Sequence, residues 1–445
     1  MNLTNLYERG KFALFLMEVS MERKGYKNRI IDTKVEEYLE AAGAVCIEGC
    51  KWCGKTWTSE HHSKSAVYIG DPSGNYSNRI MAQVSPLTVL EGKTPRLIDE
   101  WQEVPPLWDA VRNIVDKRAL KGQFILTGSA TPNREGRMHS GAGRIVRLRM
   151  RPMSLFESGD SSGKISLFDI CSGRFANELT GEVDLSELVY LVVRGGWPGN
   201  IGAAENQASI LPESYIQAVL DDDIERVETA NRDRLKMKKL LRSLARNEST
   251  VVSVRTLQRD IADKDDSTMD INTISSYLDV FERLFLFDNL MPFSSNIRSS
   301  VRVKQQEKRH FADPSLACSL LRATPEILFN DLNTLGFLFE AMCERDLRIY
   351  AESFGGNLYH YQDYSGKEID AVIEMPDGSW SGVEIKLGAH QIDEAAKNLL
   401  SIKNSFLADK KSTPPSSLVV VCGMTNAAYL RPDGVYVVPL TALKN

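Results

Sequence analysis

The run Gly49-Cys50-Lys51-Trp52-Cys53-Gly54-Lys55-Thr56 constrains this chain more than any other feature in it. It fills the pattern G-x-x-x-x-G-K-[ST], in which glycines let the main chain curl until successive N–H groups point inward, and a lysine and a hydroxyl follow. The apolar run from Val45 to Ile47 precedes it and a helical segment comes after it. The loop therefore leads onto a helix N-terminus, whose first amides have no partner within the helix and favour an anion. Such a concavity takes a chain of phosphates. The expected ligand is ATP with Mg2+: Lys55 reaches the β and γ phosphates, the Thr56 hydroxyl ligates the metal, and the segment from Gly49 through Trp57 binds the cofactor.

Phosphate transfer also needs an acid at a strand end to hold the metal and a group to orient the attacking water. Leu97-Ile98-Asp99-Glu100 supplies both, Asp99 as metal ligand and Glu100 as catalytic residue. A further apolar run, Phe124 to Thr127, ends in Gly128-Ser129. Ser129 is placed to hydrogen-bond the attacking water or the γ-phosphate, although small hydroxyl residues also serve simple strand-to-loop turns. Arg144, after Gly143, is the candidate for stabilising charge that spreads in the transition state, within its own subunit or a neighbour's. Arg147, Arg149 and Arg151 follow with strand alternation and read as one solvated or nucleic-acid-facing stripe.

Apolar runs at 44–47, 66–70, 97–98, 124–127 and 145–148 alternate with helical stretches, the signature of an α/β fold whose parallel sheet is covered on both faces. With 445 residues, several units are expected. They are an N-terminal extension at 1–20 (with Met21 as a rival start), a P-loop domain at 21–152, a helical lid or connector at 153–230, a winged helix at 231–325 and a C-terminal α/β unit at 326–445. The winged helix rests on three helical patterns, 234–246, 254–262 and 270–284, followed by two short strand candidates.

In the last unit, strands at 369–374 and 380–387 flank Pro376-Asp377-Gly378, which is turn chemistry. Such a hairpin sets Asp370 beside Glu384, and Glu384 and Lys386 share a face. Asp370 and Glu384, with Glu340 from the preceding helix, form a candidate metal set, and Asp370, Glu384 and Lys386 a candidate catalytic set for water-activated phosphate chemistry. A solvated cross-strand ion pair is the plain alternative.

No tract is long and uncharged enough to span a bilayer, so no membrane partner is expected and the protein reads as cytoplasmic. A net charge of -5 excludes a wholly basic nucleic-acid binder. Any such contact is regional, and basic clusters at 232–246 and 298–309 make double-stranded DNA the expected polymer. Homo-oligomerisation is left open. Seven scattered cysteines read as reduced thiols, and the Cys50/Cys53 pair reads as loop filler.

Arg29-Ile30-Ile31-Asp32, the loop 49–56, Leu97-Ile98-Asp99-Glu100, Leu126-Thr127-Gly128-Ser129, Gly143-Arg144 and Gly195-Gly196-Trp197-Pro198 together resemble prokaryotic AAA-like ATPases that carry a C-terminal uncharacterised domain. The resemblance runs from Met21 to the C-terminus. It implies ATP binding, a nucleotide-sensing helical region, a winged helix and a nuclease-like C-terminal fold, and it supplies no substrate. The D…E-x-K layout of the last unit similarly resembles the restriction-endonuclease-like (PD-(D/E)xK) superfamily. Two outputs stay open: action on DNA through the winged helix and nuclease-like unit, or a nucleotide switch for a protein partner with an inactive nuclease-like fold.

Overall fold

The computed structural model describes residues 25–131, 139–224, 233–262, 269–296, 298–409 and 412–445. The extension expected at 1–20 lies outside them. Five strands, β1 (Ala44–Glu48), β2 (Ser65–Tyr68), β3 (Arg96–Asp99), β4 (Phe124–Gly128) and β5 (Ile145–Arg149), form one sheet in the order β2-β3-β4-β1-β5. Every pairing is parallel. Residues 44–47 and all of β4 are buried, which is why these strands read as unbroken apolar runs. Val45, Ile47, Leu97 and Ile125 face one core, and Ala44, Cys46, Ile98 and Leu126 face the other, with Trp101, Trp108 and Val111 packed there.

Chain order and spatial order differ at one place that matters. β4 lies between β1 and β3, so the ends of β1 and β3 stand two strand spacings apart, roughly 10 Å. The helix Lys55–His61, leaving β1, covers that gap above β4.

Beyond the sheet come the helices Leu185–Arg194 and Ile210–Ala218, the second running into a π-helical turn at Val219–Asp223. Helices Arg234–Arg246, Val254–Ile261 and Ile271–Arg283 follow, each begun by a side chain that accepts a hydrogen bond from a main-chain N–H in the first turn: Asp233, Ser253 and Asp270. Antiparallel bridges Phe287↔Phe311 and Leu290↔Lys308 then tie residues 287–290 to 308–311, and Thr250↔Arg309 adds Thr250 to the same segment.

The connector contributes more than helices. Its β6 (Ile165–Ser166) pairs with the last strand, β15 (Leu443–Lys444), and its β7 (Glu178–Leu179) edges the C-terminal sheet. At the other edge stands β8 (Met291–Pro292). Between them run β9 (Asn357–Gln362), β10 (Glu368–Glu374), β11 (Trp380–Gly388), β12 (Ser417–Met424), β13 (Ala427–Leu430) and β14 (Tyr436–Pro439), in the order β7-β13-β14-β12-β11-β10-β9-β8. This eight-stranded mixed sheet thus draws on three parts of the chain, not on 326–445 alone. Helix Leu332–Ser353 packs on one face and Ile392–Ala408 on the other. The β10–β11 hairpin turns where Pro-Asp-Gly predicts: Asp377 Oδ1 accepts from Ser379 N at 2.9 Å, and Gly378 takes φ 84°.

The arginine stripe of β5 is engaged within the chain, with Arg147 still exposed and Arg149 and Arg151 progressively covered. Arg147 pairs with Glu48 and lies 4.7 Å from the centre of the Trp108 ring. Arg149 donates to the Phe287 carbonyl at 3.0 Å, and Arg151 is buried, 2.7 Å from Glu352 and paired with Asp288. At Arg149 and Arg151 the stripe is covered by residues far along the chain.

Candidate nucleotide-binding site

The phosphate loop is held from behind. Gly49 N donates to Gly128 O at 3.2 Å, and a Cβ at position 49 would stand 2.1 Å from Met150 O, so only glycine lets the strand end pass. Gly54 takes φ 107°, a left-handed value that a side chain resists, just as the chain enters the helix. Arg29, buried, donates Nη1 to Cys53 O at 2.8 Å and Nη2 to Arg151 O at 2.9 Å, while its Nε meets Glu157 at 2.9 Å. Glu157 is itself fixed by a capping box with Ser154. The loop's shape is therefore set by a guanidinium from the segment before the sheet. Lys55 is buried and donates Nζ to Cys50 O at 2.8 Å.

The acid end closes over this loop. Thr56 Oγ1 donates to Asp99 Oδ1 at 2.8 Å, and Thr127 Oγ1, on the intervening strand β4, donates to the same oxygen at 2.7 Å. Glu100 N donates to Thr127 Oγ1 at 2.9 Å, and Ser129 Oγ donates to Glu100 Oε2 at 2.8 Å. Gln102 bonds to the same Glu100 oxygen. Glu100 adopts φ 57°, an unusual left-handed conformation for a non-glycine residue that turns its side chain into the cleft. Burial and then the adjacent Glu100 push the Asp99 carboxyl up to about 6, so a nearby cation would favour its ionised form.

These residues fit a magnesium-bound triphosphate. Amides of an open loop, the Lys55 ammonium and the Thr56–Asp99 pair are the donor and ligand types it requires, with Thr56 and Asp99 on the metal. Lys55 and Thr56, with Glu100, Gln102 and Ser129, line a cleft of about 1380 Å3. Lys51, Trp52, Trp57, Tyr26 and Asp223 also line it. Two loop residues reach the helical region: Lys51 pairs with Asp223 on the π-helical turn, and the Trp52 ring meets Tyr215 edge-on at 5.4 Å. Tyr215 in turn packs on Trp197 at 5.0 Å.

Several predicted residues are brought together here, namely the loop 49–57, Asp99, Glu100 and Ser129. Arg144 is not among them. It stands at the N-terminal end of β5, opposite the strand ends that carry the phosphate loop, and pairs with Asp116 at 2.7 Å. Composition and spacing alone do not mark Arg29, Thr127, Gln102 or Asp223 as site residues. The signal available was the Arg29-Ile30-Ile31-Asp32 run for the first and the hydroxyl at the end of β4 for the second.

The C-terminal hairpin brings Asp370, Glu384 and Lys386 together: Lys386 Nζ lies 3.2 Å from Asp370 Oδ2 and 2.8 Å from Glu384 Oε2. Burial and then Asp370 push Glu384 up to about 7. Glu340 does not join them as a free ligand, because it is paired with the buried Lys308. Among the described residues, no three His, Cys, Asp or Glu side chains form a group able to hold a metal ion. The metal set expected from Asp370, Glu384 and Glu340 is thus not assembled, ammonium groups standing where its ligands would converge.

Residues 41–158 match the family model described as an AAA domain. Residues 185–327 and 335–443 match two domains of unknown function, DUF8612 and DUF4143. Uncharacterized proteins of Mycobacterium bovis and Mycobacterium tuberculosis are each 24% identical over 363 residues, spanning 79% of this chain and 72% of theirs. Among solved structures, a Walker-type ATPase of Pyrococcus abyssi is similar at 12% identity over 67% of this chain and 97% of that one, with a TM-score of 0.39. The replication initiator DnaA, bound to AMPPCP and single-stranded DNA, is similar at 12% identity over 57% of this chain and 86% of that one, with a TM-score of 0.27. The N-terminal part is an AAA-type P-loop domain, followed by helices and a mixed sheet. No helix among the described residues is long and apolar enough to cross a membrane.

Proposed function

We propose that this chain binds ATP with Mg2+ on the loop 49–56 and hydrolyses it. The observation that carries the reading is the junction at Asp99, where hydroxyls from the helix after the loop and from β4 converge on one carboxylate oxygen. The metal, when bound, supplies charge neutralisation at the phosphates. Lys55 leaves Cys50 O and binds the β and γ phosphates. Glu100, oriented by Ser129 and Gln102, holds the attacking water and accepts its proton. Arg144 serves the cleft of a neighbouring subunit, since its own cleft lies at the other end of the sheet, and this makes a homo-oligomer the working form.

Of the two outputs, the nucleotide switch with a protein partner has the better support. If residues 231–325 form a winged helix, Ile271–Arg283 is its third helix, and its exposed face carries Asn272, Ser275, Asp279 and Glu282. That face is neutral to acidic, the wrong sign for a phosphate backbone. Three nearby cations are engaged within the chain: Arg302 with Glu374 at 2.6 Å, Arg246 with Asp260 at 2.8 Å, and Lys308 with Glu340 and Glu344. ATPase rate with and without duplex DNA at low salt, measured together with molecular mass, tests both parts. Hydrolysis by an oligomer without DNA stimulation is expected. A monomer stimulated severalfold by duplex DNA would reverse both the oligomer and the switch.

A further inference from the structure

The carboxylates of the C-terminal unit already have a cation. Lys308 comes from the strand-like segment that bridges Leu290, just before the chain enters β8. Its side chain is buried against helix Leu332–Ser353, where Nζ lies 2.8 Å from Glu344 Oε1, pairs with Glu340 and donates to Asp370 O at 3.3 Å. One turn of helix separates Glu340 from Glu344, so both carboxylates face the same side, and the hairpin adds the Asp370 carbonyl. A second ammonium, Lys386, covers Asp370 and Glu384. Two of these oxygens also accept hydrogen bonds: Asp370 Oδ2 from Ile385 N at 2.7 Å, and Glu384 Oε1 from Asn398 Nδ2 at 2.9 Å.

A divalent ion needs several oxygens within about 2.0–2.6 Å, all pointing at one centre. Here each carboxylate turns at least one oxygen toward a nitrogen atom. Placing a dication among them would bring it against the buried Lys308 ammonium and the half-buried Lys386, which already neutralise the carboxylates that would otherwise attract it.

We propose that Lys308 is the resident cation of this cluster: it fills the position a divalent ion would need, and so makes the nuclease-like unit a metal-independent brace between the helical region and the C-terminal sheet. The residues implied for metal-dependent cutting therefore do not fit a metal. The proposal stands apart from the nucleotide reading, because neither Lys308 nor its partners line the phosphate cleft.

The test is a Mn2+ titration of the full-length chain without nucleotide, following free Mn2+ by electron paramagnetic resonance, in wild type, Asp370→Asn, Lys308→Met and Lys308→Met/Glu340→Gln. Wild type and Asp370→Asn should take up the same amount of ion. Lys308→Met should gain a single additional ion, lost again with Glu340→Gln. The proposal is overturned if wild type holds an ion that Asp370→Asn lacks, or if a folded Lys308→Met gains none. Should Lys308→Met fail to fold, the first comparison decides alone, as does a duplex-cutting assay in Mn2+: no cutting by wild type is expected, and cutting abolished by Asp370→Asn would overturn the proposal.

Discussion

Thr56 and Asp99 are joined by a 2.8 Å hydrogen bond although 43 positions separate them. The bond closes the distance between β1 and β3, which flank β4, and Thr127 on β4 supports it from beneath. On the proposed reading this pair holds the two metal ligands side by side.

Asp99→Asn removes the charge but keeps the shape and one acceptor for Thr56 and Thr127. The expected result is a folded protein whose ATP affinity no longer rises when Mg2+ is added, and whose turnover falls by about 100-fold or more. Calorimetric titration of ATP with and without Mg2+ checks it. An unchanged Mg2+ effect would remove Asp99 from the metal site.

Gly49→Ala tests the close approach behind the loop. A Cβ there would stand 2.1 Å from Met150 O, and that oxygen is main chain, so the loop or β5 must shift. A loss of about 1–3 kcal/mol in stability is expected, with weaker ATP binding, read from urea midpoints and nucleotide titration. Wild-type values for both would mean the loop has slack that the packing denies.

Asp223→Asn tests the link between the phosphate loop and the helical region. Its carboxylate lines the cleft and engages Lys51. Removing one negative charge near a triphosphate and freeing Lys51 should tighten ATP binding by about 3- to 10-fold. Weaker binding would show that Asp223 supports the loop more than it opposes the ligand.

A pH prediction comes from His310, buried with Nε2 2.9 Å from Glu344 and Nδ1 3.3 Å from Glu248. Burial works against the imidazolium, but Glu344 and Glu248 outweigh it and hold His310 at about 9. A raised histidine contributes stability that is complete below its unfolded value near 6.5 and is lost as pH rises through about 9. Glu344, held down to about 2 by His310 and Lys308 despite burial, titrates outside that window. Between pH 6 and pH 10 the wild type should lose on the order of 3 kcal/mol from this site, and His310→Gln much less. Equal losses in urea unfolding at the two pH values would exclude a charged His310.

Much of this was legible in the chain because it is local. The glycines, lysine and threonine of 49–56 lie together in sequence, the acids end an apolar run, and Pro376-Asp377-Gly378 dictates its own turn. What was not legible joins distant segments. Lys51 and Asp223 are 172 positions apart, and Arg29 and Glu157 are 128 apart. Periodicity reveals that Arg149 and Arg151 share a face, but not that Phe287 O and Asp288 meet it. In the same way, Lys308 belongs to a basic stretch that reads as a surface cluster, and only the bridge to Leu290 turns it inward.

Glu100→Gln, measured for ATP binding and for phosphate release on one preparation, is the most direct test of ATP hydrolysis at this cleft. In the proposed mechanism Glu100, held by Ser129 and Gln102, orients the water, whereas Lys55 and the loop amides bind the phosphates. Wild type should hydrolyse ATP, and Glu100→Gln should bind it with unchanged affinity while releasing phosphate roughly 100- to 10,000-fold more slowly. Wild-type turnover in Glu100→Gln, or no ATP binding by either protein in Mg2+, would contradict it.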